Sequence, residues 1–591
     1  MHFGGIYEDE IVGKAYDRAL MARFFRYLRP YRLLVAVVML ILPLTAAAKL
    51  AQPYILKLAI DNHIITGQMA GLPLLAAYFL LIIMIDSLLS FLQVWILQYL
   101  GQKVMQDLRV ELFSHLQRLS TSFFDRTPTG SLVTRLTSDV EVLGEMFAAG
   151  IITVVGDIML LVGIVGVMLW MNLRLSLVTF SVLPLLIWTA FTFRRRMREA
   201  FRQVRARLAT LNTFLNESIG GMSLIQLCNR QSAEHQEFRR LNAAYRDANL
   251  PVITWDASLY AAVEALSSVA VGLLIWYGGG EIMRSTLTFG ALVAFIQYIE
   301  KFFAPIRDLS AKYSVMQGAM AALERLFNLL DTHETIPEPP AEKRSIPPAP
   351  ASLIEFRDVW FAYQGDDFVL KGVDLRLARG EKVALVGETG GGKTTVTRLL
   401  SRLYDLNRGE IAIDGIDLRN VPLKELRRRI GIVLQDPYLF TATIEENICL
   451  GDETVRPRVK EAAVAVGADR FIEQLPNGYR EEVRERGANL SAGERQLISF
   501  ARAVAFDTEL LVLDEATASV DTASEQLIQQ GLQALMAGRT TLVVAHRLST
   551  IRDADRIVVI HRGQKVEEGS HDSLMAQQGL YYRLYQLQFK D

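Results

Sequence analysis

Residues 385–395 read LVGETGGGKTT, and the placement of this stretch decides how the whole chain is read. The residues before it, EKVALVG, have the length and apolar run of a short buried strand, and those after it, KTTVTRLLSRL, have helical periodicity. The glycines therefore fall at a strand-to-helix turn. Gly387, Gly390, Gly391 and Gly392 lack a Cβ, so successive backbone N–H groups can close on an anion, and the start of the following helix adds favourable potential. The spacing GxxxxGK[ST] in that setting is that of a loop cradling nucleotide phosphates, with Glu388 and Thr389 among its variable positions. Lys393 is placed to reach the β- and γ-phosphates and Thr394 to ligate Mg²⁺, while Thr395 completes the set of candidate ATP contacts.

A second motif supports the first. ELLVLDEAT is an apolar strand ending in two acids, of which Asp514 is placed to hold the Mg²⁺ shell and Glu515 to polarise an attacking water as general base. Two acids after a lone strand would otherwise read as an exposed turn. Their position downstream of the phosphate loop argues for the catalytic assignment.

The rest of the chain is of a different kind. At 591 residues it is too long for one hydrophobic core. A hydrophobic fraction of 51% beside 21% charged residues points to a membrane part joined to a water-soluble part. Charge is balanced at 63 Lys plus Arg against 64 Asp plus Glu, so nothing global favours a nucleic-acid partner. Cys228 and Cys449 are the only cysteines, which excludes a disulfide framework and a cysteine metal cluster. The acidic N-terminus MHFGGIYEDEIVGK has neither the apolar core nor the cleavage site of a signal peptide.

Six stretches, near 33–59, 73–100, 146–171, 175–193, 256–277 and 287–308, approach or exceed the ~20 apolar residues needed to cross a bilayer. Basic residues flank them unevenly. Arg23, Arg26, Arg29 and Arg32 precede the first span and RRRMREAFRQVRAR follows the fourth, so both termini are expected on the cytoplasmic side. ALMARFFRYLRPY reads as an amphipathic elbow on the inner face. The cytoplasmic connections 101–145 and 194–250 are long and helical by pattern, with a turn at Thr127–Gly130 in the first. Among ionisable residues within the spans, Asp86, Asp157 and Glu264 lie deepest and are candidates for a transport cavity; pairing between helices is the alternative. IPEPPAEKRSIPPAP is too rich in proline for a helix and reads as the linker. The expected division is thus an elbow over 1–32, a transmembrane domain over 33–330, a linker over 331–350 and an ATP-binding domain over 351–591.

Between the phosphate loop and ELLVLDEAT lies NLSAGERQ, in which Leu490, Ser491, Ala492, Gly493 and Glu494 resemble the LSGGQ signature of ABC transporters. Other features resemble that family in the same order. Tyr363 in FAYQG resembles the aromatic that stacks on adenine, and Gln435 in VLQDP the Q-loop glutamine that senses Mg²⁺ and contacts the membrane domain. ERG at Glu485–Gly487 resembles the X-loop of exporters, Asp521 the D-loop, and His546 in VVAHRLS the switch histidine at the γ-phosphate.

Six spans fused ahead of one such ATPase resemble a half-exporter, most closely the multidrug-resistance-like Mdl type, over nearly the whole chain. The resemblance implies an all-α six-helix transmembrane domain followed by an α/β P-loop nucleotide-binding domain. It further implies ATP and Mg²⁺ as cofactors, catalytic roles for Glu515, His546 and Gln435, Mg²⁺ contacts from Thr394, Gln435 and Asp514, and a bacterial inner-membrane location. Two chains would trap two ATP molecules, with each signature completing the partner's site. Ala492 and Glu494 depart from the signature's usual glycine and glutamine and could weaken the partner's site, so a heterodimer is favoured over a homodimer. The expected activity is efflux of amphipathic small molecules by alternating access. The alternatives are a lipid flippase or peptide exporter and, in another class, an ATP-gated regulatory protein that does not pump. A soluble DNA-repair ATPase of the same type would have no use for the spans.

Overall fold

In this computed structural model the described residues are 17–67, 69–339, 354–388, 390–514, 522–545 and 551–589. The chain divides into two compact units, one comprising Met1–Gln117 and Thr129–Thr332, the other Arg118–Pro128 and His333–Asp591.

The first unit is helical. Its helices are α1 (Arg18–Phe24), α2 (Arg32–Ala59), α3 (Leu72–Leu116), then, beyond α4 (Thr121–Arg126) of the other unit, α5 (Thr129–Thr134), α6 (Val140–Ala149), α7 (Ile151–Met171) and α8 (Leu173–Phe180). It is completed by α9 (Leu183–Gly220), α10 (Met222–Leu227), α11 (Gln231–Met283) and α12 (Phe289–Leu330). Six helical segments are long and apolar enough to span a membrane: Arg18–Ile64, Met69–Leu116, Thr129–Met171, Leu173–Gly220, Gln231–Met283 and Phe289–Ile306. Several continue well beyond the apolar stretches read from sequence.

Helix α3 shows why. Along its first half the apolar side chains of Leu80, Met84, Leu88 and Phe91 are exposed, as on a lipid-facing surface. In its second half burial narrows to one stripe, Leu97, Leu100, Val104, Leu108 and Leu112, at the three- and four-residue spacing of an amphipathic helix in water. One continuous helix thus passes from one solvent to another. Packing among the spans uses small residues, as expected where helices associate without a hydrophobic driving force. Gly156 and Gly163 of α7 face Leu42 and Leu50 of α2 so closely that an added Cβ would sit 3.0 Å and 2.6 Å from their methyl groups.

A short helix and a 3₁₀ turn precede the first span. Asp17 caps α1 through its side chain, and a 3₁₀ turn, Phe25–Tyr31, carries Pro30 into α2. Arg23 bonds Asp331 at 2.7 Å and lies 4.3 Å from the Phe327 ring centroid, while Tyr27 and Tyr31 donate to Glu111 and Asp107 at 2.8 Å each.

The second unit holds two sheets. One is antiparallel, in the order β2 (Phe368–Leu377), β1 (Ile354–Ala362), β4 (Arg408–Ile413), β5 (Ile416–Asp417). The other runs β10 (Gln564–Gly569), β9 (Arg556–His561), β3 (Lys382–Val386), β8 (Thr540–Val544), β7 (Leu510–Asp514), β6 (Ile430–Val433), all parallel except β10. Its central strands are buried on both faces, which explains their unbroken apolar runs. Val383, Leu385, Val512 and Leu542 enter one core, and Ala384, Val386, Leu511 and Val543 the other. The short helix α4 belongs to this unit although it lies between α3 and α5 in sequence.

Candidate nucleotide site

Because β3, β8, β7 and β6 are parallel neighbours, their C-terminal ends share one edge of the sheet, where ligands of open α/β folds bind. The phosphate loop leaves β3 there and enters helix α13 (Lys393–Leu400). Asp514 ends β7 at the same edge, and Gln435 follows β6 with its side chain exposed. These groups, about 40 to 120 residues apart in sequence, lie at one edge of the sheet. Glu515, Asp521, His546 and Thr389 lie outside the described residues.

The loop's backbone needs its glycines. Gly387 has φ 155°, and a Cβ there would fall onto the carbonyl of Ile560 in the neighbouring strand β9. Gly392 caps α13 at φ 103°, where a Cβ would sit 2.7 Å from Leu370. Lys393 is 5% exposed and folds back, donating to the Gly387 and Glu388 carbonyls at 2.7 and 2.9 Å. Burial holds its ammonium below the ordinary lysine value, against the opposing pull of the Asp514 carboxylate. A desolvated cation resting on neutral carbonyls, within a glycine loop at a helix start, fits a polyphosphate. The exposed Thr394 hydroxyl and the Asp514 carboxylate are hard oxygen donors that suit Mg²⁺.

At the other end of the loop, Tyr363 is 38% exposed and its hydroxyl lies 3.1 Å from Thr395 Oγ1. Its ring packs edge-to-face on Phe361, with centroids 4.8 Å apart, and on Tyr404, at 5.2 Å. Sequence reading singled out Tyr363 but not Tyr404. Nothing local sets that tyrosine apart until the loop and β1 are folded around it.

The signature lies at the start of the helix Ala492–Ala505. Ser491 is its N-cap, accepting from Glu494 N at 3.2 Å, and the Glu494 carboxylate accepts Ser491 N–H at 2.7 Å. This is a reciprocal capping box, so Glu494 has a local structural partner within its own chain. Ala492 is exposed, and Leu490 and Gly493 are buried.

Of the intramembrane acids, Asp157 is paired with Lys312 of α12. Asp86 accepts from Gln52 at 3.1 Å, and Gln52 in turn accepts from Lys301 at 2.7 Å. Glu264 is exposed on α11. A pair that sequence reading missed, the buried Asp139 with the partly exposed Arg325, joins the π-helical turn Arg135–Asp139 to α12 through two hydrogen bonds of 3.0 and 2.5 Å.

A phosphate-loop ATPase fused behind six spanning helices defines a multi-pass membrane transporter that hydrolyses ATP. Comparison with known proteins gives the family: residues 35–306 match the ABC transporter transmembrane region and residues 370–518 the ABC transporter family, to which this chain belongs as a fused half-exporter. It is 38% identical to the "Uncharacterized ABC transporter ATP-binding protein YknV" of Bacillus subtilis (strain 168), over 98% of this chain and 96% of that one. It is 37% identical to the same organism's "Probable multidrug resistance ABC transporter ATP-binding/permease protein YheH", over 88% and 77%. Identity to the "ATP-dependent lipid A-core flippase" of Syntrophus aciditrophicus (strain SB) is 35%, over 97% and 95%. A solved bacterial Atm1-family ABC exporter with ATP bound is similar at a TM-score of 0.77 and 29% identity, over 97% of this chain and 100% of that one.

Proposed function

We propose that this chain is one half of a dimeric exporter that moves amphipathic small molecules out across a bacterial inner membrane, with both termini and the ATPase unit in the cytoplasm. The observation that supports the reading is the shared sheet edge from which the loop with Lys393, Asp514 and Gln435 leave their parallel strands, in a chain that also has six helices long and apolar enough to span a membrane. Lys393 and the loop N–H groups hold the β- and γ-phosphates, and Tyr363 stacks on the base. Thr394, Asp514 and Gln435 would hold Mg²⁺, whose charge would offset that developing on the transferred phosphoryl group. Glu515 draws a proton from the attacking water and His546 steadies the γ-phosphate. Ser491 and Gly493, at a helix start, complete the partner chain's site. ATP closure turns the cavity outward, and release of phosphate resets it.

A heterodimer is favoured over a homodimer, since Ala492 and Glu494 depart from the usual signature. A second reading, movement of a lipid between leaflets, is supported by the likeness to a lipid A-core flippase over almost the full length of both chains. The deciding measurement is ATP hydrolysis by this chain alone in lipid vesicles, with Glu515→Gln as control. Activity lost in the control supports hydrolysis by a homodimer. Bound but unhydrolysed ATP points to a missing partner chain, and loss of ATP binding in Lys393→Ala is expected in either case.

A further inference from the structure

The ring of Tyr363 is held by a second layer that ends on a helix from the spanning half of the sequence. Tyr404 meets Tyr363 edge-to-face, with ring planes at 90°, and Phe361 closes the triangle, 5.6 Å from Tyr404. The Tyr404 hydroxyl donates to the carboxylate of Asp125 on α4. Arg398 bridges Tyr363 and Asp125, its guanidinium 5.9 Å from the Tyr363 centroid and 3.7 Å from the Asp125 carboxylate. Helix α4 is itself fastened to this unit: Ser120 N–H donates to the Glu334 carbonyl at 2.7 Å, and Arg126 pairs with the Glu334 carboxylate.

A stacking platform binds a base well only if its ring is already oriented, because an unfixed side chain loses rotamer entropy on binding. Edge-to-face packing fixes the orientation of Tyr363, and Tyr404 is fixed in turn by the hydrogen bond its half-buried phenol donates to Asp125. We propose that Tyr404 and Asp125, supported by Arg398, are positioning residues for Tyr363. On this account the base-dependent part of ATP affinity is set by a helix lying between two membrane-spanning segments in sequence. The proposal rests on Tyr363 being the base-stacking residue. It concerns recognition of the base and leaves the phosphate contacts untouched.

The test is equilibrium binding to the full-length chain in lipid nanodiscs, using ATP and inorganic tripolyphosphate, which has no base, as two probes. Tyr404→Phe keeps the ring and removes only the hydroxyl. It is expected to weaken ATP about three- to tenfold, in the range such aromatic contacts carry, with tripolyphosphate affinity unchanged. Asp125→Ala should do the same, and the double variant should be no worse than either single one, because both break one connection. Tyr363→Ala separates the two readings. If it leaves ATP and tripolyphosphate equally affected, base stacking by Tyr363 is wrong and the proposal falls with it. If it weakens ATP selectively while Tyr404→Phe does not, only the positioning role is overturned. Equal weakening of both probes by Tyr404→Phe also overturns it, since that is the mark of general structural damage.

Discussion

Gly387 illustrates how much depends on a single atom. Its φ of 155° and its closeness to the Ile560 carbonyl leave no room for a Cβ. Gly387→Ala is expected to abolish nucleotide binding while the six spans still insert and fold, which ATP binding and circular dichroism of the purified variant would check. A second prediction concerns pH. Burial would raise the Glu381 carboxyl, but the Arg556 guanidinium at 2.7 Å and the Ala378 N–H outweigh it, and the net value lies below the ordinary 4.5. Glu568 is lowered as well: burial opposes the shift, and Lys565 and Arg556 outweigh it. For a carboxylate lowered on folding, the stabilisation is fully present above the unfolded-state value and is lost as pH falls through the folded one. Calorimetric melting should therefore hold between pH 7 and about pH 5 and drop below pH 4.5. Arg556→Met should cost about 1–3 kcal/mol at neutral pH, where it removes the guanidinium shared by two partly buried carboxylates and leaves Glu568 to Lys565 and Glu381 to the Ala378 N–H, and should narrow the gap between neutral and acid melting temperatures.

At the scale of elements, the signature helix separates two effects that its sequence confounds. Glu494 completes a capping box, so Glu494→Ala should destabilise the helix by about 1 kcal/mol, whereas Glu494→Gln keeps the cap and removes only the charge. If the carboxylate also repels a partner's phosphate, Glu494→Gln should raise ATPase turnover. Unchanged turnover would mean that the capping role alone accounts for the residue. Within the spans, Gly163→Val should force α7 away from Leu50 of α2 and cost about 1–3 kcal/mol, readable as a lower melting temperature in lipid.

Across the whole molecule, the features with local signatures were legible in the sequence: six apolar stretches, the glycine loop and the acid after a strand. Their local physics is set within about ten residues, by apolar runs, by glycine backbone freedom and by spacing. The rest depended on assembly. That the chain stays helical after residue 101 was legible in the pattern of the connection 101–145, but the residues that cover the buried stripe of α3 were not: Gly101 lies against Phe147, and Met105 against Gly144, of α6. Tyr404, Arg398 and Asp125 carry no motif, because 279 residues separate the tyrosine from its acceptor. Asp86 and Asp157 looked alike in sequence as acids within apolar stretches. Folding gives each its own neighbour, Gln52 for one and Lys312 for the other.

The assignment of Arg118–Pro128 to the second unit changes what a truncation means. The chain crosses between the units three times, after Gln117, after Pro128 and after Thr332, and the proline-rich stretch IPEPPAEKRSIPPAP follows only the last crossing. A fragment beginning at residue 333 would therefore not be the complete ATPase unit. It would lack an eleven-residue insert supplied from upstream, and the Tyr404 phenol, Arg398 and the Glu334 carboxylate would each lose a partner. Kinetic constants measured on such a fragment would describe an enzyme missing one of its own parts, and adding back a peptide spanning 118–128 should move them toward those of the intact chain.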